Sequence, residues 1–152
     1  MTKEEYKILA KEICEKEFLG KFDKGGNPYI KHCEFVAENS AILYKSVFGD
    51  LDDLYIIGLL HDLVEDCECW SIDIIQKIFG DDIATAIKLL TKTKGCNEEQ
   101  YINAIKQNEY ARAVKLADLQ NNMDITRLKT ITEKDIQRIQ KYHKYYRFLL
   151  ED

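Results

Sequence analysis

Helix signals dominate this sequence: apolar residues recur every three or four positions, and no segment alternates apolar and polar residues as a half-buried strand does. The first apolar segment is preceded by a capping-box pattern at Thr2 and Glu5, and the last by a similar pattern at Thr132 and Asp135. The single proline, Pro28, stands where a helix is expected to begin. The sequence therefore predicts an all-α fold, a single compact helical bundle spanning residues 1–152.

The predicted helices follow one another with short loops between them. The second is expected over about residues 28–48 and the third over about residues 54–66. Ser71 is a suitable N-cap for a short helix that ends before Gly80. The remaining helices are predicted in the segments DDIATAIKLLTK, EEQYINAIKQ and EYARAVKLADLQNNMDITRL, and after Thr132.

The composition limits the classes of partner. The formal net charge of -5 argues against broad affinity for nucleic acid or anionic membranes. No apolar run approaches the about 20 residues of a membrane span, and the N-terminal segment is too charged for a signal peptide. An odd count of five cysteines suggests reduced thiols in a cytoplasmic protein. Cys67 and Cys69 could bind a metal, but a lone C-x-C pair is more typical of spare thiols in a loop.

The segment LLHDLVED, residues 59–66, gathers one histidine and three carboxylates without a basic residue. On a continuous helix these polar side chains would occupy one arc, opposite the apolar residues. They are His61, Asp62, Glu65 and Asp66. One interpretation is an amphipathic helix with a solvated acidic face. The other is a cation-binding cluster, because solvated faces usually include lysines and like charges at this spacing repel one another.

Two further segments could complete such a cluster. His32 lies one turn into the second predicted helix, where a histidine can equally be packed or solvated. Asp118 and Asn122 are four residues apart and share a helix face, at the edge of an apolar stretch where a carboxylate needs a partner. That partner is either a metal ion or a basic residue, Lys115 or Arg112. Two imidazoles and two carboxylates together suit Mn²⁺, Fe²⁺ or Zn²⁺.

The order and spacing of these motifs resemble the HD phosphohydrolase superfamily. HDLVED resembles the HD-x-x-ED form of its RelA/SpoT-type branch, which includes small alarmone hydrolases, and so do NPYIKHCEFVA, FGDDIATAIKLLTK and RAVKLADLQNNM. The resemblance covers about residues 20–123. It implies an all-helical HD-type bundle that binds one divalent metal ion, usually manganese, and removes the 3′-diphosphate from guanosine tetra- or pentaphosphate. The chain is too short for the synthetase domain of long family members, so only the hydrolase part is expected.

The resemblance also implies roles for individual residues. The implied metal ligands are His32, His61, Asp62 and Asp118. Glu65 and Asp66 match the pair that handles the attacking water and proton transfer, and the sequence leaves open which of them does which. The expected substrate-binding residues are Asn122, Thr91 and Lys92, together with Lys21 and Lys24 in the glycine-bearing loop before the first ligand.

One position departs from the family pattern. The loop usually carries Arg-Lys, with the arginine packed on the guanine base, whereas here the pair is Asp23 and Lys24. A carboxylate cannot stack on guanine and would repel a nearby phosphate unless it turns outward or pairs with Lys21. We therefore expect guanosine tetraphosphate to be hydrolysed with a raised KM, which Asp23→Arg should lower. The alternatives are an HD phosphohydrolase for another nucleotide or phosphorylated metabolite, or a nucleotide-binding module without turnover; the oligomeric state stays open.

Overall fold

The computed structural model describes residues 1–43 and 49–152. In this part of the chain the regular secondary structure is helical, apart from one isolated β-bridge between Phe22 and Pro28. The helices are α1 (Lys3–Glu17), α2 (Ile30–Leu43), α3 (Leu51–Leu60), α4 (Leu63–Asp66), α5 (Ile72–Phe79), α6 (Asp81–Leu90), α7 (Glu98–Lys106), α8 (Glu109–Asn122) and α9 (Glu133–Leu150), with a 3₁₀ turn at Ile125–Arg127. The predicted all-α fold is confirmed. The predicted end of the second helix near residue 48 lies outside the described residues, and none of the described helices is long and apolar enough to span a membrane.

Local side-chain caps explain where the helices begin. The Thr2 hydroxyl accepts from the backbone N–H of Glu5 (3.2 Å), and the Glu5 carboxylate accepts from the backbone N–H of Thr2 (2.7 Å). Thr132 and Asp135 form the same capping box at the start of α9, and Ser71 caps α5 as predicted. These caps satisfy N–H groups that no helical carbonyl can reach, so short sequence patterns are enough to predict them.

The third predicted helix is wrong in one respect, because it is not continuous. α3 ends at Leu60 and α4 begins at Leu63, with a turn at residues 61–62. Nδ1 of His61 donates to the carbonyl of Gly58 (2.7 Å), which is the carbonyl that the amide of Asp62 would bind in an uninterrupted helix. The single polar arc predicted for LLHDLVED is therefore replaced by a turn that brings two consecutive side chains into one site.

α2 packs against both α3 and α8, and this arrangement positions the site. Gly58 allows a close approach of α3 to α2, since a Cβ at this position would lie 2.6 Å from the Cα of Ala37. Apolar side chains from α3, α6 and α8 fill the core around this contact; fully buried examples are Leu54, Ile57, Leu60, Ile87 and Leu116. The elements that carry the expected metal ligands are therefore held close together.

Candidate metal centre

Four side chains meet where α2, α8 and the turn after α3 come together: His32, His61, Asp62 and Asp118. Each offers one ligand atom, and these atoms all lie within 4.8 Å of one another. Nε2 of His32 lies 3.0 Å from Oδ1 of Asp118, and Nε2 of His61 lies 3.0 Å from Oδ2 of Asp62. The structure thus brings together the four residues that were expected to be metal ligands, although separate elements carry them.

The two imidazole rings are oriented by hydrogen bonds on their far side. Nδ1 of His61 donates to the Gly58 carbonyl, and Nδ1 of His32 lies 2.7 Å from the side-chain oxygen of Asn121. Because each acceptor fixes a proton on Nδ1, each Nε2 keeps its lone pair facing the carboxylates. Nε2 of His61 is buried and has no hydrogen-bond partner among the described residues, so its lone pair is available to a cation. This set of two nitrogen and two oxygen donors fits a divalent metal ion.

Asp118 binds a half-buried lysine as well as facing the histidines. Its Oδ2 lies 2.9 Å from Nζ of Lys115, and its Oδ1 accepts from Nδ2 of Asn122 (3.0 Å). Burial opposes ionisation, but the charge of Lys115 keeps the pKa of Asp118 well below its ordinary value. Arg112, the other basic residue considered from the sequence, donates instead to the backbone carbonyl of Leu149 (2.6 Å). The salt-bridge and ligand interpretations of Asp118 are compatible, since each uses a different oxygen.

Tyr29 contributes to the site and was not identified from the sequence. Its hydroxyl donates to Oδ2 of Asp62, and its ring centroid lies 5.4 Å from that of His32. Burial and the neighbouring Asp62 charge raise the pKa of Tyr29, so the hydroxyl remains a hydrogen-bond donor. Asn121 was missed as well. The available signal was position, because Tyr29 stands three residues before His32 and Asn121 three residues after Asp118, about one helical turn away in each case.

Glu65 and Asp66 follow the cluster on α4, and both are partly exposed to solvent. Oε1 of Glu65 accepts from the backbone N–H of Lys92 (2.7 Å), and Glu65 lines the same cavity as His61 and Asp62. Partial burial, together with the negative charge of Asp62, raises the pKa of both carboxyl groups. Both groups can therefore hold a proton at a higher pH than an ordinary carboxyl group can.

The cluster opens into a cleft with two lobes that share Tyr29, Asn122 and Tyr142. The metal lobe, about 240 Å³, lies over the cluster and is also lined by Glu65, Lys92, Glu98, Tyr101, Lys115 and Lys141. The basic lobe, about 280 Å³, is named for Lys24, Arg127 and Arg138; its lining also includes Phe22 and three acidic residues, Asp23, Asp124 and Asp135. The cleft therefore offers positively charged side chains on both sides of the residues that the lobes share.

The expected substrate-binding residues divide between this cleft and its surroundings. Three of them line it: Lys24 in the basic lobe, Lys92 in the metal lobe and Asn122 in both. Lys21 and Thr91 are not among the described residues that line either lobe. Nζ of Lys21 donates to the Asp66 carbonyl (3.2 Å), and the Thr91 hydroxyl donates to the Ile87 carbonyl at the end of its own helix (2.7 Å). Lys21 is thus next to a proposed proton-transfer residue, whereas the Thr91 hydroxyl is used within α6.

Asp23 is held inside its loop, neither turned outward nor paired with Lys21, the two arrangements expected from the sequence. Its Oδ1 accepts from the backbone N–H groups of Gly25 and Asn27 (2.9 Å each), and its Oδ2 lies 2.7 Å from NH2 of Arg127. Burial opposes ionisation, but Arg127 and the Asn27 N–H hold the pKa of Asp23 below its ordinary value. An arginine at this position would lose these bonds and face Arg127, so the structure does not support the benefit expected from Asp23→Arg.

The sequence profile of the HD domain family matches residues 29–123, a segment that contains the four clustered residues and both α4 carboxylates. This chain belongs to the HD domain family. Among solved structures, the fold of this HD domain is similar to that of a metazoan ortholog of SpoT that hydrolyses ppGpp and plays a role in starvation responses. The TM-score is 0.73 at 20% sequence identity, and the match covers 96% of this chain and 85% of the other. No curated protein sequence matches this one.

Family membership agrees with the geometry of the site. HD domains are metal-dependent phosphohydrolases, and the four-residue cluster could hold the divalent ion that this chemistry needs. The expected HD-type bundle is confirmed by the structural likeness to the metazoan protein. At 20% identity that likeness shows a shared fold, so the choice of substrate has to be argued from the cleft itself.

Proposed function

We propose that this HD domain hydrolyses the 3′-diphosphate of guanosine tetra- or pentaphosphate and releases pyrophosphate. The observation that carries the proposal is the two-lobed cleft. One lobe contains the cluster and Glu65, where a phosphoryl group would react, and the other presents Lys24, which forms no salt bridge with a described residue and could meet the other phosphate group of a nucleotide. A nucleoside with phosphate groups on both its 3′ and its 5′ side suits this division, because it has an anionic group for each lobe.

The cluster would hold one divalent metal ion, with Mn²⁺ as the expected ion and Fe²⁺ or Zn²⁺ as alternatives. Its ligands would be His32, His61, Asp62 and Asp118. When bound, the metal would neutralise charge on the phosphoryl oxygens and increase the acidity of water. Tyr29 would keep Asp62 oriented through its hydroxyl, and Asn121 would keep His32 oriented through its side-chain oxygen.

Glu65 and Asp66 would carry out proton transfer. Glu65 is fixed by the backbone N–H of Lys92 in the metal lobe, where it can orient and deprotonate the attacking water. Asp66 is its neighbour on α4, and its raised pKa lets it retain a proton for the leaving 3′-oxygen. The raised pKa of Glu65 would also allow the reverse assignment, but of these two carboxylates Glu65 alone is among the described residues that line the metal lobe.

The test is turnover by the full chain loaded with Mn²⁺, with products separated by ion exchange. Guanosine tetraphosphate should yield guanosine diphosphate and intact pyrophosphate, and Asp118→Ala should lose both bound metal and turnover. Glu65→Gln and Asp66→Asn should retain the metal but lose about 10²–10⁴-fold in kcat, as expected for general acid–base groups. Glu68→Gln, which changes an exposed carboxylate two residues further along the chain, is the matched control and should have wild-type activity.

A second candidate is an HD phosphohydrolase for another nucleotide or a phosphorylated metabolite. The partly buried Asp23–Arg127 pair favours it, because a carboxylate stands where RelA/SpoT-type hydrolases usually carry arginine. Orthophosphate released from a nucleoside monophosphate, with no pyrophosphate from guanosine tetraphosphate, would replace the first candidate by the second. Metal-dependent nucleotide binding without any product would indicate a binding module. A loss below about tenfold in both carboxyl variants would remove the proposed proton-transfer roles.

A further inference from the structure

Arg127 forms part of the basic-lobe wall and is held at two of its nitrogen atoms. NH2 lies 2.7 Å from Oδ2 of Asp23, and NH1 donates to the backbone carbonyl of Asn121 at 2.7 Å. The side chain is 21% exposed and lines the same cavity as Lys24. A guanidinium is planar, and this one is fixed at two edges, so a ligand in the lobe meets a surface with little freedom to move.

The loop before α2 and the 3₁₀ turn at Ile125–Arg127 are locked together around this arginine. The backbone carbonyl of Arg127 accepts from Nδ2 of Asn27 at 3.2 Å. A Cβ at Gly25 would lie 1.7 Å from the same carbonyl oxygen, so only glycine fits there unless the turn moves. Asp23 in turn accepts from the backbone N–H groups of Gly25 and Asn27. This side of the basic lobe is therefore already ordered before a ligand enters, which reduces the conformational entropy lost on binding.

The charges in the basic lobe indicate what Arg127 can bind. Asp23 neutralises Arg127, and Asp135 neutralises Arg138 in the same way. Lys24 forms no salt bridge with any described residue, so it is the better ligand for a phosphate group. A guanidinium that is paired through its edge keeps a flat face, and that face attracts aromatic rings. Arg127 is thus better suited to a ring than to a phosphate.

Phe22 is a second observation that points to an aromatic ligand. Its side chain lines the basic lobe and is 63% exposed, so an apolar surface stands open in the same cavity as Arg127. We propose that Arg127, positioned by Asp23, is the planar cation on which the base of the substrate stacks, while Lys24 contacts a phosphate group. This inference rests on the proposed function in taking the substrate to be a nucleotide. The proposal also explains Asp23, because an Arg127 side chain neutralised by Asp23 favours a base over free phosphate.

The test compares two probes that share a diphosphate and differ in the nucleoside: guanosine diphosphate and inorganic pyrophosphate. Their dissociation constants are measured by calorimetry with the full chain loaded with Mn²⁺. Arg127→Lys keeps the charge and removes the planar group, so guanosine diphosphate should bind about tenfold more weakly while pyrophosphate changes by less than about twofold. Arg147→Lys changes an exposed arginine of α9 that pairs with Glu151, and as the matched control it should leave both constants unchanged.

Asp23→Asn separates the positioning of Arg127 from the folding of the loop. An asparagine side-chain oxygen can still accept from the two loop N–H groups, but it no longer neutralises the guanidinium. Guanosine diphosphate should bind at least about threefold more weakly, because the ring surface is less well fixed. Pyrophosphate should bind more tightly, because the released charge of Arg127 attracts phosphate.

Equal weakening of both probes by Arg127→Lys would make Arg127 a phosphate ligand and overturn the proposal. An unchanged constant for guanosine diphosphate would overturn it as well, as would wild-type binding of guanosine diphosphate no tighter than that of pyrophosphate. Wild-type constants for both probes in Asp23→Asn would remove Asp23 as the positioning residue. The dissociation constants are measured without turnover, so they test the role of Arg127 alone. The proposed function has a separate test, because it fails if guanosine tetraphosphate yields no pyrophosphate.

Discussion

Gly58 is a position where one added carbon atom should disturb both the fold and the metal cluster. On the present backbone the Cβ of Gly58→Ala would lie 2.6 Å from the Cα and 2.9 Å from the backbone nitrogen of Ala37. Carbon atoms in good contact are about 3.5–4.0 Å apart, so α3 must move away from α2 by about 1 Å. Because the obstacle is main chain, no side-chain rotation can relieve it.

Two opposing effects set the sign of the stability change. Alanine is favoured over glycine within a helix by about 1 kcal/mol, so the sequence alone would predict stabilisation. Overpacking a tight interior contact costs about 1–3 kcal/mol, and the neighbours Ile57 and Leu59 are fully buried, which leaves little room to adjust. We expect packing to prevail and the free energy of unfolding to fall by about 1–2 kcal/mol. Affinity for Mn²⁺ should fall by about tenfold or more, because the carbonyl that orients His61 moves away from α2.

The free energy of unfolding is measured by urea denaturation of the metal-free protein, and metal affinity by titration with Mn²⁺. Ala37→Gly is the control, because the added carbon meets the main chain of Ala37 and not its methyl group. Removing that methyl group in the double variant should therefore not restore the stability that Gly58→Ala loses. A Gly58→Ala variant as stable as the wild type, or one that Ala37→Gly restores, would contradict the close approach of α2 and α3.

Two further changes test the surroundings of the metal lobe. Lys92 is the main partner of Glu98 and lowers its pKa from 4.5 to about 2, so the stability that Glu98 contributes is present above pH 4.5 and is lost as the pH falls towards 2. Glu98→Gln should lower the free energy of unfolding by about 0.5–1 kcal/mol near pH 7, a modest value because the side chain is 35% exposed. Urea denaturation should show the difference between the wild type and the variant reduced by about half near pH 3. A difference that does not change with pH would contradict the pairing of Glu98 with Lys92. Asn121→Ala should weaken Mn²⁺ binding by about 10–100-fold, because His32 loses its hydrogen-bond acceptor. Asn103→Ala changes an exposed asparagine and should leave the affinity for Mn²⁺ unchanged. Equal affinities of the two variants would contradict the role of Asn121 in orienting His32.

Local features of this fold could be predicted from the sequence. The caps at Thr2 and Thr132 each depend on a residue three positions further on, so a short segment contains all the information that specifies them. The spatial proximity of the four clustered residues, in contrast, could not be predicted from short segments. Helical spacing shows which residues share a face, such as Asp118 and Asn122, but it does not show which helices touch. That part of the prediction came from the family resemblance.

Contacts between distant residues could not be predicted from local patterns. The Asp23–Arg127 pair joins residues 104 positions apart, and the bond between His32 and Asn121 joins residues 89 positions apart. The break after Leu60 has another cause, since an imidazole takes a main-chain carbonyl that the helix would otherwise use. Apolar periodicity in LLHDLVED continues through that break, so hydrophobic spacing alone predicts a continuous helix there.

Asn121 links the two lobes of the cleft. Its side chain orients His32 at the metal cluster, while its main-chain carbonyl holds Arg127 in the basic lobe. Asp118, one turn earlier on α8, belongs to the cluster, so docking of α8 on α2 completes the donor set and places the far wall at the same time. Metal binding should stabilise this contact, because ligands from both helices are needed to hold the ion. Replacing the Asn121 side chain should therefore disturb the metal lobe, whereas moving its main chain should disturb both lobes, because both are held by this one short segment.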